Sequence, residues 1–203
     1  MRARHGRARA AGIVATLVGG ALLAGCAVQA APTLTARPSS SPSASATRTP
    51  AGADCLAPQV LSALGFDPAQ TSGATHPDAP DPGPVPEDFR PVLAVECSTG
   101  ETLSDSAGRW SAVTATRREG DLDPLLTALD GGSTPSPTVT CAPGGQRSDL
   151  WLVDVMGDAV RVTVPGAVCG RLPASARAAL DGLDAVDTEH YPVLLTTPRQ
   201  TVG

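Results

Sequence analysis

The sequence predicts an α+β fold: a small antiparallel sheet with two or three short helices packed on it, stabilised by disulfides. Three observations carry that prediction. Leucines recur at helical spacing behind a proline in residues 123–131 and again in residues 172–183. Short Val-, Leu- and Trp-bearing runs bounded by Gly, Pro and Asp read as strands, one pair of them as a hairpin. Cys55, Cys97, Cys141 and Cys169 form an even set outside the N-terminal region.

The N-terminus opens with Arg2, Arg4, Arg7 and Arg9, followed by a charge-free apolar run over 10–25. A basic start before a short apolar run is the pattern of a secretory signal. The run falls short of the roughly 20 residues a membrane span needs. Its glycines, Gly12, Gly19, Gly20 and Gly25, weaken a helix further. Its end, Leu23-Ala24-Gly25-Cys26, resembles the lipobox of bacterial lipoproteins. That resemblance implies removal of residues 1–25, Cys26 as the mature N-terminus, and lipid on its sulfur and amine, which exceeds the two-signal requirement for stable anchoring. The chain is then expected on the outer face of the cell membrane. Ordinary secretion, with cleavage after Val28-Gln29-Ala30, is the alternative.

All 15 basic residues are arginine, against 20 acids; loss of residues 1–25 leaves 11 against 20, a net charge of −9. So acidic a chain is a poor partner for nucleic acid or anionic headgroups. Phe66, Phe89, Trp110, Trp151 and Tyr191 are the five aromatics, so the core is expected to be built from Val, Leu and Ala. Export places the four remaining cysteines in an oxidising compartment and predicts two disulfides. Three connectivities are open. Pairing Cys55 with Cys97 and Cys141 with Cys169 is favoured because it closes the shorter loops, for roughly 3.5–4 kcal/mol each in the chain-entropy model. No C-x-x-C occurs, which speaks against a thioredoxin-like enzyme or a zinc site.

Taken in order, residues 26–53 read as the lipidated cysteine and an Ala/Pro/Ser/Thr tether without apolar periodicity, reaching roughly 25–30 Å. A single domain is expected over 54–203. Asp54 is expected to cap a helix carrying Val60, Leu61 and Leu64, with Gly65 at its end. Residues 67–86, with six prolines, read as a surface loop or second linker. Strands are predicted over 91–97 and 110–117, joined by a polar connection over 98–109. Asp123-Pro124 opens a helix with Leu125, Leu126 and Leu129 that Gly131 stops. A turn-rich break over 132–137 and a short strand over 138–141 follow.

Residues 150–155 and 159–164 then form a hairpin. A two-residue Gly157-Asp158 turn of type II′ places Trp151 opposite Val164, Val153 opposite Val162 and Val155 opposite Val160, with Asp154 meeting Arg161 on the other face. Pro173 opens a helix with Leu172, Ala176, Ala179, Leu180 and Leu183 on one stripe. Val193-Leu194-Leu195 forms an edge strand. The helix ends Ala128-Leu129-Asp130-Gly131 and Ala179-Leu180-Asp181-Gly182, 51 residues apart, hint at an ancient duplication, although the tryptophans are only 41 apart.

Leu152-Val153-Asp154, Gly157, Ala159-Val160-Arg161, Pro165, Cys169-Gly170, Ala179-Leu180 and Leu183, preceded by Trp110 and Cys141, resemble a group of actinobacterial secreted proteins and lipoproteins. The resemblance implies an exported α+β domain and brings no activity with it. Thr140-Cys141-Ala142-Pro143-Gly144-Gly145 looks like a segment of the subtilisin-inhibitor family of the same bacteria, without the rest of its cysteine pattern.

For chemistry, His76 lies in the proline-rich loop and His190 in the tail, and both read as solvated. Glu119, Asp121 and Asp123, and Asp181, Asp184, Asp187 and Glu189, are acid clusters. Paired carboxylates serve glycoside cleavage or hold calcium, but these groups lack EF-hand spacing and fit solvated charge. Trp110 and Trp151 are read as core residues, with the floor of a groove as the alternative. No nucleophile elbow, H-E-x-x-H helix or phosphate loop is present. The sequence therefore points to a non-catalytic binding or structural module without cofactor or metal, meeting an envelope protein, polymer or small ligand. An envelope hydrolase using paired carboxylates is the alternative, and a protease inhibitor a third.

Overall fold

Successive residues of a strand point to opposite sides of the sheet, and the central strands here are buried at successive positions. The structure, a computed structural model, describes residues 45–71, 73–131, 140–141 and 144–199. In β2 (Pro91–Ser104) Ala94, Val95, Glu96 and Cys97 are all buried, and in β4 (Ser148–Asp154) Leu150, Trp151, Leu152 and Val153 are. Both faces of the sheet must therefore be covered.

The other strands are β1 (Arg48–Thr49), β3 (Gly108–Glu119), β5 (Ala159–Val162) and β6 (Asp184–Pro198), in the order β1-β5-β4-β2-β3-β6, every pair antiparallel. Helix α1 (Pro58–Leu64) covers one face, where Val60, Leu61 and Leu64 cluster with Val95, Val113 and Trp151. Helices α2 (Asp123–Asp130) and α3 (Ala174–Asp181) cover the other, where Leu125, Leu129 and Leu180 meet Ala94, Leu150 and Leu152. The fold is thus the expected α+β domain with three short helices, divided between the two faces.

Both disulfides join sequence neighbours, Cys55 to Cys97 and Cys141 to Cys169, each with Cα atoms 5.4 Å apart. The first fastens the approach to α1 onto β2.

The chain repeats one unit, hairpin then helix. Cys97 faces Ala115 in the first hairpin, so its register centres on position 106, and Leu150 faces Val162 in the second, centred on 156. Their helices begin at Asp123 and Ala174. The offset of 50 or 51 agrees with the like helix ends. With β2 and β4 antiparallel at the centre and α2 and α3 in one cluster, the two units are placed as a twofold axis normal to the sheet would place them.

The β4–β5 hairpin differs from the expected register. Leu150 faces Val162, Trp151 faces Arg161, Leu152 faces Val160 and Val153 faces Ala159. The loop has three residues, 155–157, closed by Asp154 N–H to the Asp158 carbonyl at 2.9 Å and Gly157 N–H to the Asp154 carbonyl at 3.0 Å, with Gly157 at φ 86°. Asp154 turns back on this loop: its Oδ1 accepts from the Met156 and Asp158 amides at 2.8 and 3.0 Å. It is not Arg161's partner. The displacement is three residues, an odd number, so the faces exchange. Trp151 lies in the α1 core, whereas Val164, beyond β5, packs on the α2–α3 core.

Other boundaries shift for local reasons. Helix α1 starts after Ala57, and Asp54 closes the preceding turn by accepting from the Leu56 amide at 2.9 Å. Strands β2 and β3 run on through the expected connection to a tight turn at Asp105, whose Oδ1 accepts from the Ala107 and Gly108 amides at 2.8 and 3.0 Å. The edge strand of the tail extends over all of Asp184–Pro198. Thr140 and Cys141 lie outside any strand, and the remainder of that expected strand, with the 132–137 break, falls outside the described residues.

The greatest departure is on the outer edge of β5. Arg161, 4% exposed, donates through Nε and Nη2 to both Asp149 oxygens at 2.7–3.2 Å. The same guanidinium donates to the Pro80 carbonyl at 3.4 Å and the Gln59 carbonyl at 3.3 Å. Gly83 then joins the sheet, donating to the Arg161 carbonyl at 3.1 Å and accepting from Thr163 N–H at 2.9 Å. The proline-rich stretch is thus held along the sheet instead of serving as a linker. Ala46, buried, donates its N–H to the Pro84 carbonyl at 2.8 Å, and Arg48 and Thr49 pair with Val160 and Ala159. The expected tether up to Ala53 is therefore shortened, since residues 45–49 belong to the fold. Residues 1–44, with Cys26, lie outside the described residues.

Burial pushes the Asp149 carboxyl above the usual carboxylate range, against the pull of Arg161. Removing one member of such a pair strands the other charge. Asp149→Ala is accordingly expected to cost about 3–5 kcal/mol in urea unfolding. Arg48→Ala, whose partner Asp88 is exposed, should cost about 1 kcal/mol or less. Equal losses would contradict this ranking.

Candidate binding groove

Holding residues 80–90 beside α2 opens a groove between them, about 1010 Å³ in volume. Its apolar lining comes from Val85 and the buried Phe89 on one wall and Leu126 and the buried Leu129 on the other, with Ser45, Thr47 and the chain just after β5 completing it. Phe89 is fixed from behind by the Arg48 guanidinium, 5.2 Å from its ring centroid.

The polar lining is one-sided. Asp81, Glu87, Asp123 and Asp130 line the groove, all exposed, and among the described residues their carboxylates have no hydrogen-bond or ion-pair partner. Arg90 is the basic residue there, and its Nη1 already donates to the Glu87 and Phe89 carbonyls at 2.7 and 3.0 Å. Pro80, Pro82, Pro84 and Pro86 have no N–H to offer, and the Gly83 N–H is taken by Arg161. The Thr127 hydroxyl donates to the Asp123 carbonyl at 2.8 Å.

Helix α2 adds to this excess of acceptors. Helices α1 and α3 end with the N–H of the following glycine bonded back to helix carbonyls. After α2, Gly131 sits at φ −58° and, among the described residues, makes no such bond. Carbonyls at a helix C-terminus without a cap carry partial negative charge, and Asp130 and Gly131 line the groove.

Of the acids and histidines singled out from sequence as candidate chemistry, only Asp123 lines the groove. The two acid clusters meet elsewhere: Glu119 faces Asp184 across β3 and β6, and Asp187 lies 3.8 Å from Arg117. Asp181 sits 3.9 Å from Arg177 one helical turn earlier. No group of three or more His, Cys, Asp or Glu that could hold a metal occurs among the described residues. His76 Nδ1 is 2.9 Å from Asp54 Oδ2, clasping the proline-rich stretch to the start of the domain, and on β6 His190 Nδ1 is 2.9 Å from Thr114 Oγ1 of β3. Trp151 is core, as expected; Trp110 is half-buried at the far end of β3, between Leu103 and Leu195. Phe89, the aromatic beside the groove, is itself buried.

Sequence reasoning missed the buried Glu96, whose oxygens accept from Arg177 at 2.7 and 3.2 Å and from Ser148 Oγ at 2.8 Å, with Arg118 at 3.6 Å. This carboxylate is consumed in fastening α3 to the sheet. It also missed the groove acids Asp81, Glu87 and Asp130, because the fold of residues 80–90 depends on contacts remote in sequence.

No family model, no curated protein and no solved structure matches this chain.

On β6 the Tyr191 hydroxyl donates to Glu189, and the phenol is pushed up to about 12, first by that hydrogen bond. Tyr191 is the only tyrosine of the chain, so phenolate absorbance near 295 nm reports it alone. The titration is expected only in the region of pH 12, and Glu189→Gln should draw it back toward about 10. A wild-type midpoint near 10 would remove the Glu189 contact from solution.

Proposed function

We propose that this protein is a lipid-anchored extracytoplasmic protein of the cell envelope, held to the outer face of the membrane through Cys26, and that it acts without catalysis by binding a partner in the groove between α2 and residues 80–90. The single observation that carries the binding site is the groove itself, whose proline-rich wall is tied by backbone and guanidinium hydrogen bonds to β5. Such fixed walls are suited to a preorganised ligand site. The lipobox-like end of the apolar run supports the anchor, and the two disulfides accord with an oxidising compartment. Neither His76 nor His190 lines the groove, which favours binding over acid–base chemistry at neutral pH. Its four acids supply the one specific observation for the second reading, an envelope hydrolase.

The test is made in living cells, with a photo-crosslinking amino acid in place of Thr127 in the groove or Thr188 on β6. A discrete adduct from position 127 and none from 188 is expected, and Cys26→Ala should leave the membrane fraction or stay unprocessed. Identical adducts from both positions would remove the groove as the binding site, and an unchanged distribution of Cys26→Ala would remove the anchor. Turnover of an envelope polymer by the purified protein, lost in Asp81→Asn or Asp123→Asn, would establish the hydrolase instead.

A further inference from the structure

Resting on the groove as the binding site, we infer that its ligand is a cationic peptide segment, in which an Arg or Lys side chain enters among the acids and neighbouring apolar side chains pack on the half-buried Val85 and Leu126.

Three independent features of the lining converge on that chemistry. The first is charge. Asp81, Glu87, Asp123 and Asp130 face one basic residue, Arg90, whose Nη1 is spent on two backbone carbonyls. A cation placed there meets carboxylates that have no partner among the described residues, whereas an anion meets four carboxylates against one guanidinium. The second is hydrogen-bond polarity. Alternate prolines at 80, 82, 84 and 86 remove donors from the wall, Gly83 spends its N–H on β5, and the C-terminal end of α2 adds carbonyls. A wall of acceptors selects a ligand rich in donors, and a guanidinium offers five in a fork that matches a carboxylate.

The third is size and apolar content. A volume of about 1010 Å³ lies at the upper end of the roughly 300–1,000 Å³ of small-molecule sites, more than one amine fills. Val85 and Leu126, half-buried at the groove over the buried Phe89 and Leu129, call for apolar side chains beside the charge. A peptide carrying both kinds of side chain satisfies the whole lining; a free polyamine leaves the apolar walls unused. The mature chain's net −9 draws such a partner from a distance, more strongly at low salt.

The experiment presents the mature full-length protein, in detergent, with an mRNA-displayed library of random nonapeptides, and sequences what is retained. Wild type is compared with Thr127→Trp, which fills the groove from an exposed helix position, and with the fourfold variant Asp81→Asn, Glu87→Gln, Asp123→Asn and Asp130→Asn, whose substitutions are all at exposed positions. Arg or Lys should be enriched at least tenfold over its library frequency, always with an apolar neighbour. The enrichment should vanish with Thr127→Trp and lose its cationic character with the fourfold variant. Peptides without Arg or Lys, selected by wild type and lost with Thr127→Trp, would overturn the cationic ligand and keep the groove. Absence of any enrichment sensitive to Thr127→Trp would overturn both.

Discussion

One buried ion pair, Arg161 with Asp149, organises the groove side of this molecule. A guanidinium has five donors, and this one divides them between a carboxylate on β4, a carbonyl of α1 and a carbonyl of the proline-rich stretch. Burying two charges is expensive, and their attraction repays it only when the remaining donors find partners. The Pro80 and Gln59 carbonyls provide them. The stretch so fixed puts Gly83 in reach of the β5 edge and sets Phe89 opposite α2, which makes the groove. A lysine at 161, with a compact ammonium and no planar fork, could not hold three elements in the same way.

The sheet itself meets a different constraint. With five aromatics in 203 residues, neither face can rely on large side chains, and the protein instead buries both faces under small helices. The Cys55–Cys97 link lies in the α1 core, between the chain just before the helix and the strand beneath it, where α1 has only seven residues. On the other face the Glu96–Arg177 pair ties α3 to β2 and β4 through Ser148. Each face therefore has a polar or covalent clamp supplementing an aliphatic core, and the α1 face has both the disulfide and the Arg161–Asp149 pair.

What the sequence disclosed and what it hid follow from the range of the interactions. Helices α2 and α3, both disulfide partners and the existence of the β4–β5 hairpin were legible, because proline, glycine, leucine spacing and cysteine proximity act locally. The hairpin's register was not. Gly157-Asp158 fits a two-residue turn on paper, but Asp154 bonds to two amides of its own loop and makes it three residues long. That exchange of faces hid Arg161's partner, and with it the fixing of residues 80–86. Residues 45–49 show no apolar periodicity, yet Ala46 is buried and its neighbours pair with β5. Of the groove's acids, only Asp123 was singled out in advance; the wall that carries Asp81 and Glu87 is fixed by contacts remote in sequence, Arg161 to the Pro80 carbonyl 81 residues away among them.

The Arg161 side chain keeps the groove wall in place. Amide hydrogen exchange in wild type and Arg161→Met tests it most directly, with Gly83 and Thr163, which bond across the wall, compared against Val95 at the sheet centre. Exchange at Gly83 and Thr163 is expected to rise tenfold or more relative to Val95 in the variant. An unchanged ratio would mean that the proline-rich wall holds itself and that the buried pair serves only the core.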